Sequence, residues 1–503
     1  MANNSLIILP LLSFMLAAIL CFFFHGKVRP QQYIAIAGSF IALICAIGLL
    51  REVLHFEILS MQVGGWQAPY GITIVVDVYS ALMIGIACLL AFAVSIFSLS
   101  RTSISYSRQR GGYYPSLLFM LMGVIGSFIT GDLFNLYVWF EVMLISSFVL
   151  MTLGSKRKQL EGGLKYMVLN FVASTFLLLA IGILYGVTGH TNMAMLSQLL
   201  KHTDISGMVQ LASVLLLVSF TAKAAMFPLF FWLPASYHTP PIAVTAVMAG
   251  LLTKVGVYTL LRTYTLLFPL DRPFTVNILM IMACCTMLVG VLGALVQQDI
   301  RKVLAYNLIS KIGFIIMGLA INSPLAIAAS IFYTIHHILV KSNLFFVTGM
   351  IGVERGSFQI KELGGIYSAW PLISFVFMLL SLTLVGIPPL SGFYGKLMFT
   401  QAAIASASYV PIVILLLTSL LTLYSMIRVW RIAFLRPWDG QGNAIVSERQ
   451  LLSGHKPMCM AIGILLVFTL GISIYAAPLV EVSTKAAYQL LHPEIYIRQV
   501  LGD

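Results

Sequence analysis

Apolar runs of about 20 residues recur along the whole of this chain, and that recurrence limits its fold more than any single motif. In lipid no water is present to satisfy backbone N–H and C=O groups, so each run must form a helix that bonds to itself. Fourteen spans are predicted, near residues 5–24, 31–50, 72–98, 113–131, 133–153, 163–186, 209–231, 241–262, 274–296, 302–321, 325–350, 370–401, 408–430 and 457–477. Hydrophobic residues make up 60% of the chain and charged residues 9%, with mean hydropathy +0.99, which excludes a soluble globular domain. The fold class is an all-α polytopic membrane protein, one membrane domain over 1–503, with a short tail at 478–503 expected at the interface. The N-terminal MANN runs straight into the first apolar stretch without a basic segment, so that stretch reads as a span and not as a cleaved signal.

The formal charge of +13 does not point to nucleic acid. Of the 29 Lys and Arg residues, 18 lie in or beside the loops that follow odd-numbered spans and 6 on the opposite side. That asymmetry places the odd loops in the cytoplasm and both termini outside. An even number of spans also requires both termini on one side. The six cysteines (Cys21, Cys45, Cys88, Cys284, Cys285 and Cys459) form no C-x-x-C and no metal spacing, and read as small buried hydrophobes.

Two spans carry a break beside a lysine. In span 7, Lys223 sits in an apolar run and Pro228 follows, removing a backbone donor and freeing the carbonyl of Ala224. In span 12, Pro388 and Pro389 remove two donors, Gly386 and Gly392 permit sharp backbone, and Lys396 follows. Neither feature helps a helix merely to span; discontinuous helices with charged groups are how ion-translocating proteins are built. The two breaks are five spans apart, and an odd offset reverses the direction of travel. The expected architecture is therefore two inverted five-helix repeats, spans 4–8 (113–262) and spans 9–13 (274–430).

The ionisable groups placed inside spans are Glu141, Lys223, Lys254, Lys311, His336, His337, Lys341 and Lys396. A lysine at the bilayer centre costs about 2.5–3.5 kcal/mol even on the lowest scale, so such residues mark ion paths. Snorkelling lysines sit near helix ends, whereas Lys223 and Lys254 sit well inside. Glu141 is the one carboxylate deep in a predicted span, and reads either as a structural partner of a lysine or as a group whose proton affinity a lysine sets. His337 and Lys341 are four apart and share a helix face. His336 and His337 point about 100° apart and have no third ligand nearby, so no metal is expected. Lys311 either faces the same interior or is structural. Two charges about 8 Å apart at an effective dielectric near 20 interact by roughly 2 kcal/mol. A change of charge at one site is then enough to move a proton at the next, and the series forms a path parallel to the membrane with exits to each side.

The segments GDLFNLYVWFEVM, TAKAAMFPLFFWLPASYHTPP, GLLTKVGVY, RKVLAYNLISKIG, HHILVKSNLFF and GIPPLSGFYGK resemble the antiporter-like subunits. That superfamily comprises Mrp-type multisubunit cation/proton antiporters and the proton-pumping membrane subunits of complex I. The likeness covers nearly the whole chain and is strongest to the D subunits of the Mrp type. The chain lacks the long C-terminal extension of the A subunits. It carries Lys396 where the M-like subunit of complex I usually has glutamate. The resemblance implies fourteen helices, inverted repeats, breaks in helices 7 and 12 and a central proton path. It implies that Glu141 and Lys223 are the essential pair, that Lys254 bridges, and that His337, Lys341 and Lys396 continue the route. Lys311 is a departure, since the family often has Gln, His or Ser there.

The expected function is proton translocation within a Mrp-type complex in a bacterial cytoplasmic membrane, coupling H⁺ influx to Na⁺ export and so serving pH homeostasis. The expected partners are the other subunits (A, B, C, E, F and G). One deep carboxylate is no cage for a hard cation, so the Na⁺ site is expected mainly in those subunits. The alternative is a membrane subunit of a complex I-like NADH–quinone oxidoreductase or a membrane-bound hydrogenase. No flavin, haem or iron–sulfur signature is present, so no cofactor is expected and the chain reads as a transporter subunit, not an enzyme.

Overall fold

The structure, a computed structural model, describes residues 4–100, 104–202, 207–268, 273–438 and 446–502. Arg101 and Arg272, which entered the topological count, lie outside them. Among the described residues, 12 helices are long and apolar enough to cross a membrane, and they match predicted spans 2–11, 13 and 14. Predicted spans 1 and 12 appear as shorter apolar helices, Leu9–Phe23 and Pro371–Val385. Spans 3, 8, 10 and 11 are buried along most of their length and form the core. Spans 2, 5, 6, 9, 13 and 14 turn apolar faces outward, with Ile145, Phe171, Leu416 and Leu420 among the exposed side chains. That is the pattern of a chain whose outer solvent is lipid.

Both breaks fall where the prolines place them. Span 7 runs as Gly207–Ala224 and then stops, and a short helix, Trp232–Ser236, follows. Ala225 takes φ +58°, a left-handed conformation that L side chains rarely adopt. Side chains hold the broken backbone: the Trp232 indole donates to the Ala222 carbonyl (3.0 Å), and the Phe227 N–H donates to Thr286 Oγ1 on span 9 (3.0 Å). Span 12 runs as Pro371–Val385 and resumes as Ser391–Ala405. Gly386 caps the first half at φ +84°, and a Cβ on Gly392 would run into the Thr383 carbonyl oxygen. Glycine is required at both positions, as the sequence indicated.

The start of span 3 departs from expectation. Thr73–Val76 is a strand, paired antiparallel with Leu59–Gln62, and the helix begins only at Val78. The β-branched run TIVV favours the strand. Asp77 then starts the helix by accepting from the Ser80 N–H at 2.8 Å. The tail is also more structured than a loose interfacial segment: Ala477–Leu491 and Pro493–Leu501 are helices. Gln489 accepts from the Val78 N–H (3.1 Å), and Lys485 donates to the Leu54 carbonyl (2.9 Å).

A set of local geometries occurs twice, at one constant sequence offset. Asp132 caps span 5 and bridges Asn192; Asp299 caps span 10 and bridges Gln359. Spans 6 and 11 are both 32 residues long, Arg157–Thr188 and Pro324–Arg355, and end on left-handed Gly189 and Gly356. Gly123 packs on the backbone of Met143 as Gly290 packs on that of Ser310, and Gly126 meets Trp139 as Gly293 meets Tyr306.

Candidate functional site

All seven predicted basic groups are buried: Lys223, Lys254, Lys311, His336, His337, Lys341 and Lys396. Lys223 ends the first part of span 7. Its Nζ donates to Ser174 Oγ on span 6 (2.8 Å) and lies 4.5 Å from the ring centre of Phe140, next to Glu141 on span 5. Glu141 is half-buried, its Oε1 is enclosed without a protein partner, and it forms no salt bridge with Lys223 among the described residues.

Lys254 lies about midway along span 8 (Ile242–Leu266), just past a wide π turn, Met248–Leu252. Lys254 Nζ donates to a carbonyl of that turn, Ala249 O, at 2.7 Å. Gly256 brings spans 7 and 8 together: a Cβ there would lie 2.7 Å from the Ala224 nitrogen and 3.0 Å from the Lys223 carbonyl carbon. The π turn packs on span 11, where Ser342 Oγ donates to the Ala246 carbonyl (3.2 Å). The neighbouring Lys341 donates to the Leu304 carbonyl of span 10 (3.0 Å).

His337 stacks flat on Tyr333 (6.3 Å, 7°), and neither of its ring nitrogens has a protein partner. His336 leaves the face of His337 and Lys341. Its Nδ1 is 2.9 Å from Ser391 Oγ, the first residue of the second half of span 12. Lys311 and Lys396 share one aromatic ring, with Nζ atoms 4.4 Å and 5.4 Å from the centre of Phe314. Lys311 donates to Thr422 Oγ1 (3.0 Å) and Lys396 to Ser419 Oγ (2.7 Å), neighbours on one face of span 13. Lys396 also donates to the Val385 carbonyl that the span 12 break frees. Lys311 therefore faces the interior.

None of these five lysines forms a salt bridge among the described residues. Each is held by neutral oxygens. The serine and threonine acceptors carried no signal in the sequence, because hydroxyls in apolar helices usually bond back to their own turn. Thr422 and Ser419 do so, donating to Thr418 O and Leu415 O, and this leaves their lone pairs to the lysines.

A buried ion pair was also missed. Arg262 Nη1 is 2.7 Å from Asp77 Oδ2, and its guanidinium also donates to Ser80 Oγ and to Tyr258 Oη, each at 3.2 Å. Lys254, Tyr258 and Arg262 are successive four-residue steps on one face of span 8, a spacing legible in the sequence. In the loop between Trp232–Ser236 and Ile242, burial and then the charges of Lys302 and Arg301 push the His238 imidazole down to about 4, against the pull of Asp299.

Residues 130–422 match the family described as NADH:quinone oxidoreductase/Mrp antiporter, transmembrane. The D-type subunit of the Na(+)/H(+) antiporter of Alkalihalophilus pseudofirmus is 38% identical over 99% of this chain and 100% of its own length. The counterpart from Bacillus subtilis is 36% identical over 99% of this chain and 100% of its own length. Among solved structures, a chain of the Mrp complex from a Dietzia species superimposes with TM-score 0.89 at 30% identity, covering 99% of both chains.

Proposed function

The chain belongs to the NADH:quinone oxidoreductase/Mrp antiporter transmembrane family, and from that premise we propose that it carries protons as the D-type subunit of a multisubunit Na⁺/H⁺ antiporter. The observation that carries this reading is the set of five buried lysines held only by neutral oxygens. A structural buried charge is normally matched by an opposite charge. A group that must gain and lose a proton is better served by partners that tolerate both forms.

The route runs from Glu141 and Lys223 through Lys254 to His337 and Lys341, and on to Lys311 and Lys396, with His336 as a side branch at the second break. Inward proton flow supplies about 2.3 kcal/mol per charge per 100 mV, which the complex uses to expel Na⁺ through a site mainly in its other subunits. The twice-occurring geometries support two inverted repeats, 113–262 and 274–430. In that register Ser174, the anchor of Lys223, corresponds to Lys341. The excess of Lys and Arg beside the odd loops supports a cytoplasmic side there and both termini outside a bacterial plasma membrane.

The test is expression of the chain with its partner subunits in cells lacking their own antiporters. Na⁺ added to everted vesicles is expected to dissipate the imposed pH gradient. A complex that assembles, ignores Na⁺ and instead acidifies vesicles on adding a respiratory donor would favour the redox-linked alternative.

A further inference from the structure

We propose that the cytoplasmic seam between the two halves of this chain holds a phosphate group. A cavity of about 850 Å³ opens there among the start of span 6, the loop after the span 7 break, the start of span 10 and the end of span 11. Six cationic side chains line it against two carboxylates. Both carboxylates are already engaged: Glu161 with Lys165 at 2.6 Å, and Asp299 with Arg301 at 2.7 Å. Arg108, Lys156, Lys158 and Lys302 are left with no carboxylate partner among the described residues.

Topology explains why cations lie on this side of the membrane. It does not explain why four come from three separate segments to line one cavity. The start of span 6 adds to the imbalance. It opens with Lys156, Arg157 and Lys158, no acidic residue in the first turn and no side-chain cap on its N–H groups. A helix N-terminus favours negative charge, so cations there are misplaced unless an anion joins them. The frame is fixed: Gln159 is buried, donates to the Thr239 carbonyl (3.2 Å) and accepts from Arg108 (3.5 Å), and Arg301 lies 3.9 Å over the Phe358 ring. A phosphate oxygen is the acceptor that suits guanidinium, ammonium and backbone N–H donors together. It is supplied either by an anionic lipid headgroup or as free phosphate, and basic recesses between helices on the cytoplasmic side are recognised headgroup sites. Bound there, it ties span 6 of the first half to span 10 of the second.

The experiment uses the whole complex, purified in detergent and stripped of lipid. Thermal unfolding is followed at a fixed scan rate and fixed ionic strength. Three probes are titrated: dihexanoyl-phosphatidylglycerol, dihexanoyl-phosphatidylcholine and inorganic phosphate. Two double variants that remove charge are compared with wild type, Lys156→Gln/Lys302→Gln and Arg108→Gln/Lys158→Gln; they share no residue and have only the start of span 6 in common, so a folding defect from Lys302 or from Arg108 leaves the other variant. A ligand of the folded state raises the midpoint in proportion to its occupancy. Phosphatidylglycerol, phosphate or both are expected to raise it while phosphatidylcholine does not, with half-effect concentrations at least tenfold higher in the variants. A response to phosphatidylglycerol alone identifies the lipid as the source, and a response to phosphate alone identifies the free ion. Equal responses to all three probes, no response, or half-effect concentrations unchanged by the substitutions would overturn the proposal.

Discussion

Gly256→Ala is expected to disable the first half of the path without touching a titratable group. The new methyl would sit 2.7 Å from the Ala224 nitrogen and 3.0 Å from both the Ala224 Cα and the Lys223 carbonyl carbon. Carbon contacts settle at about 3.5–4.0 Å, so spans 7 and 8 must part by about 1 Å at the level of Lys223. Those atoms are backbone, and no rotamer change relieves the contact. Overpacking of this kind costs about 1–3 kcal/mol, partly offset by the roughly 0.5–1 kcal/mol that alanine gains over glycine in a helix. Displacing reacting groups by about 1 Å lowers a rate by up to about 100-fold. Gly182→Ala is the control: it lies in span 6 with nothing within 4 Å of the new methyl. Na⁺-dependent proton flux in everted vesicles, normalised to assembled complex, is expected to fall at least tenfold in Gly256→Ala and to stay at wild-type level in Gly182→Ala. Wild-type flux in Gly256→Ala would refute the claim that the close approach of spans 7 and 8 positions the path.

Ser174→Ala removes the side-chain partner of Lys223; a hydrogen bond to a charged group contributes about 1.5–3 kcal/mol, so flux is expected to fall by about tenfold or more, and Ser174→Thr to recover part of it. Arg262→Met leaves the Asp77 carboxylate buried alone and is expected to destabilise the protein by about 3–5 kcal/mol, whereas Asp77→Asn with Arg262→Met loses less than the sum of the two single changes. Strictly additive losses in thermal unfolding would contradict that pairing. His238 binds protons less readily folded than unfolded, between its ordinary 6.5 and about 4. Its contribution to stability is therefore intact above pH 6.5 and is lost as pH falls toward 4. An unfolding series across that window should be flatter for His238→Gln, and an unchanged slope would count against the burial of the ring.

The membrane architecture was legible because lipid leaves the backbone so few choices. Apolar length located the 12 helices long enough to cross, with some ends off by up to about seven residues, and Pro228, Pro388 and Pro389 placed both breaks. The charges were legible for the same reason, since a lysine in the middle of an apolar run is costly and stands out, although the sequence left Lys311 open between an interior and a structural role. The neutral partners were not. Ser174, Thr422 and Ser419 look like any helical hydroxyl, and only the fold brings them to Lys223, Lys311 and Lys396. Hydropathy also misjudged Thr73–Val76, because a β-branched apolar strand and the start of an apolar helix have the same composition. Asp77 and Arg262 lie near predicted span ends and read singly as interfacial charges. Their pairing is a tertiary fact that joins span 3 to span 8.

The central claim is that protons cross by way of Glu141 and Lys223, and one measurement addresses it directly. Na⁺-dependent proton flux is compared among everted vesicles carrying the complete complex as wild type, Lys223→Ala or Glu141→Ala, at equal expression and with assembly verified. Loss of flux in both variants with the complex intact is the expected result. Retained flux in either assembled variant would contradict it, making the pair structural and moving the proton path to another subunit.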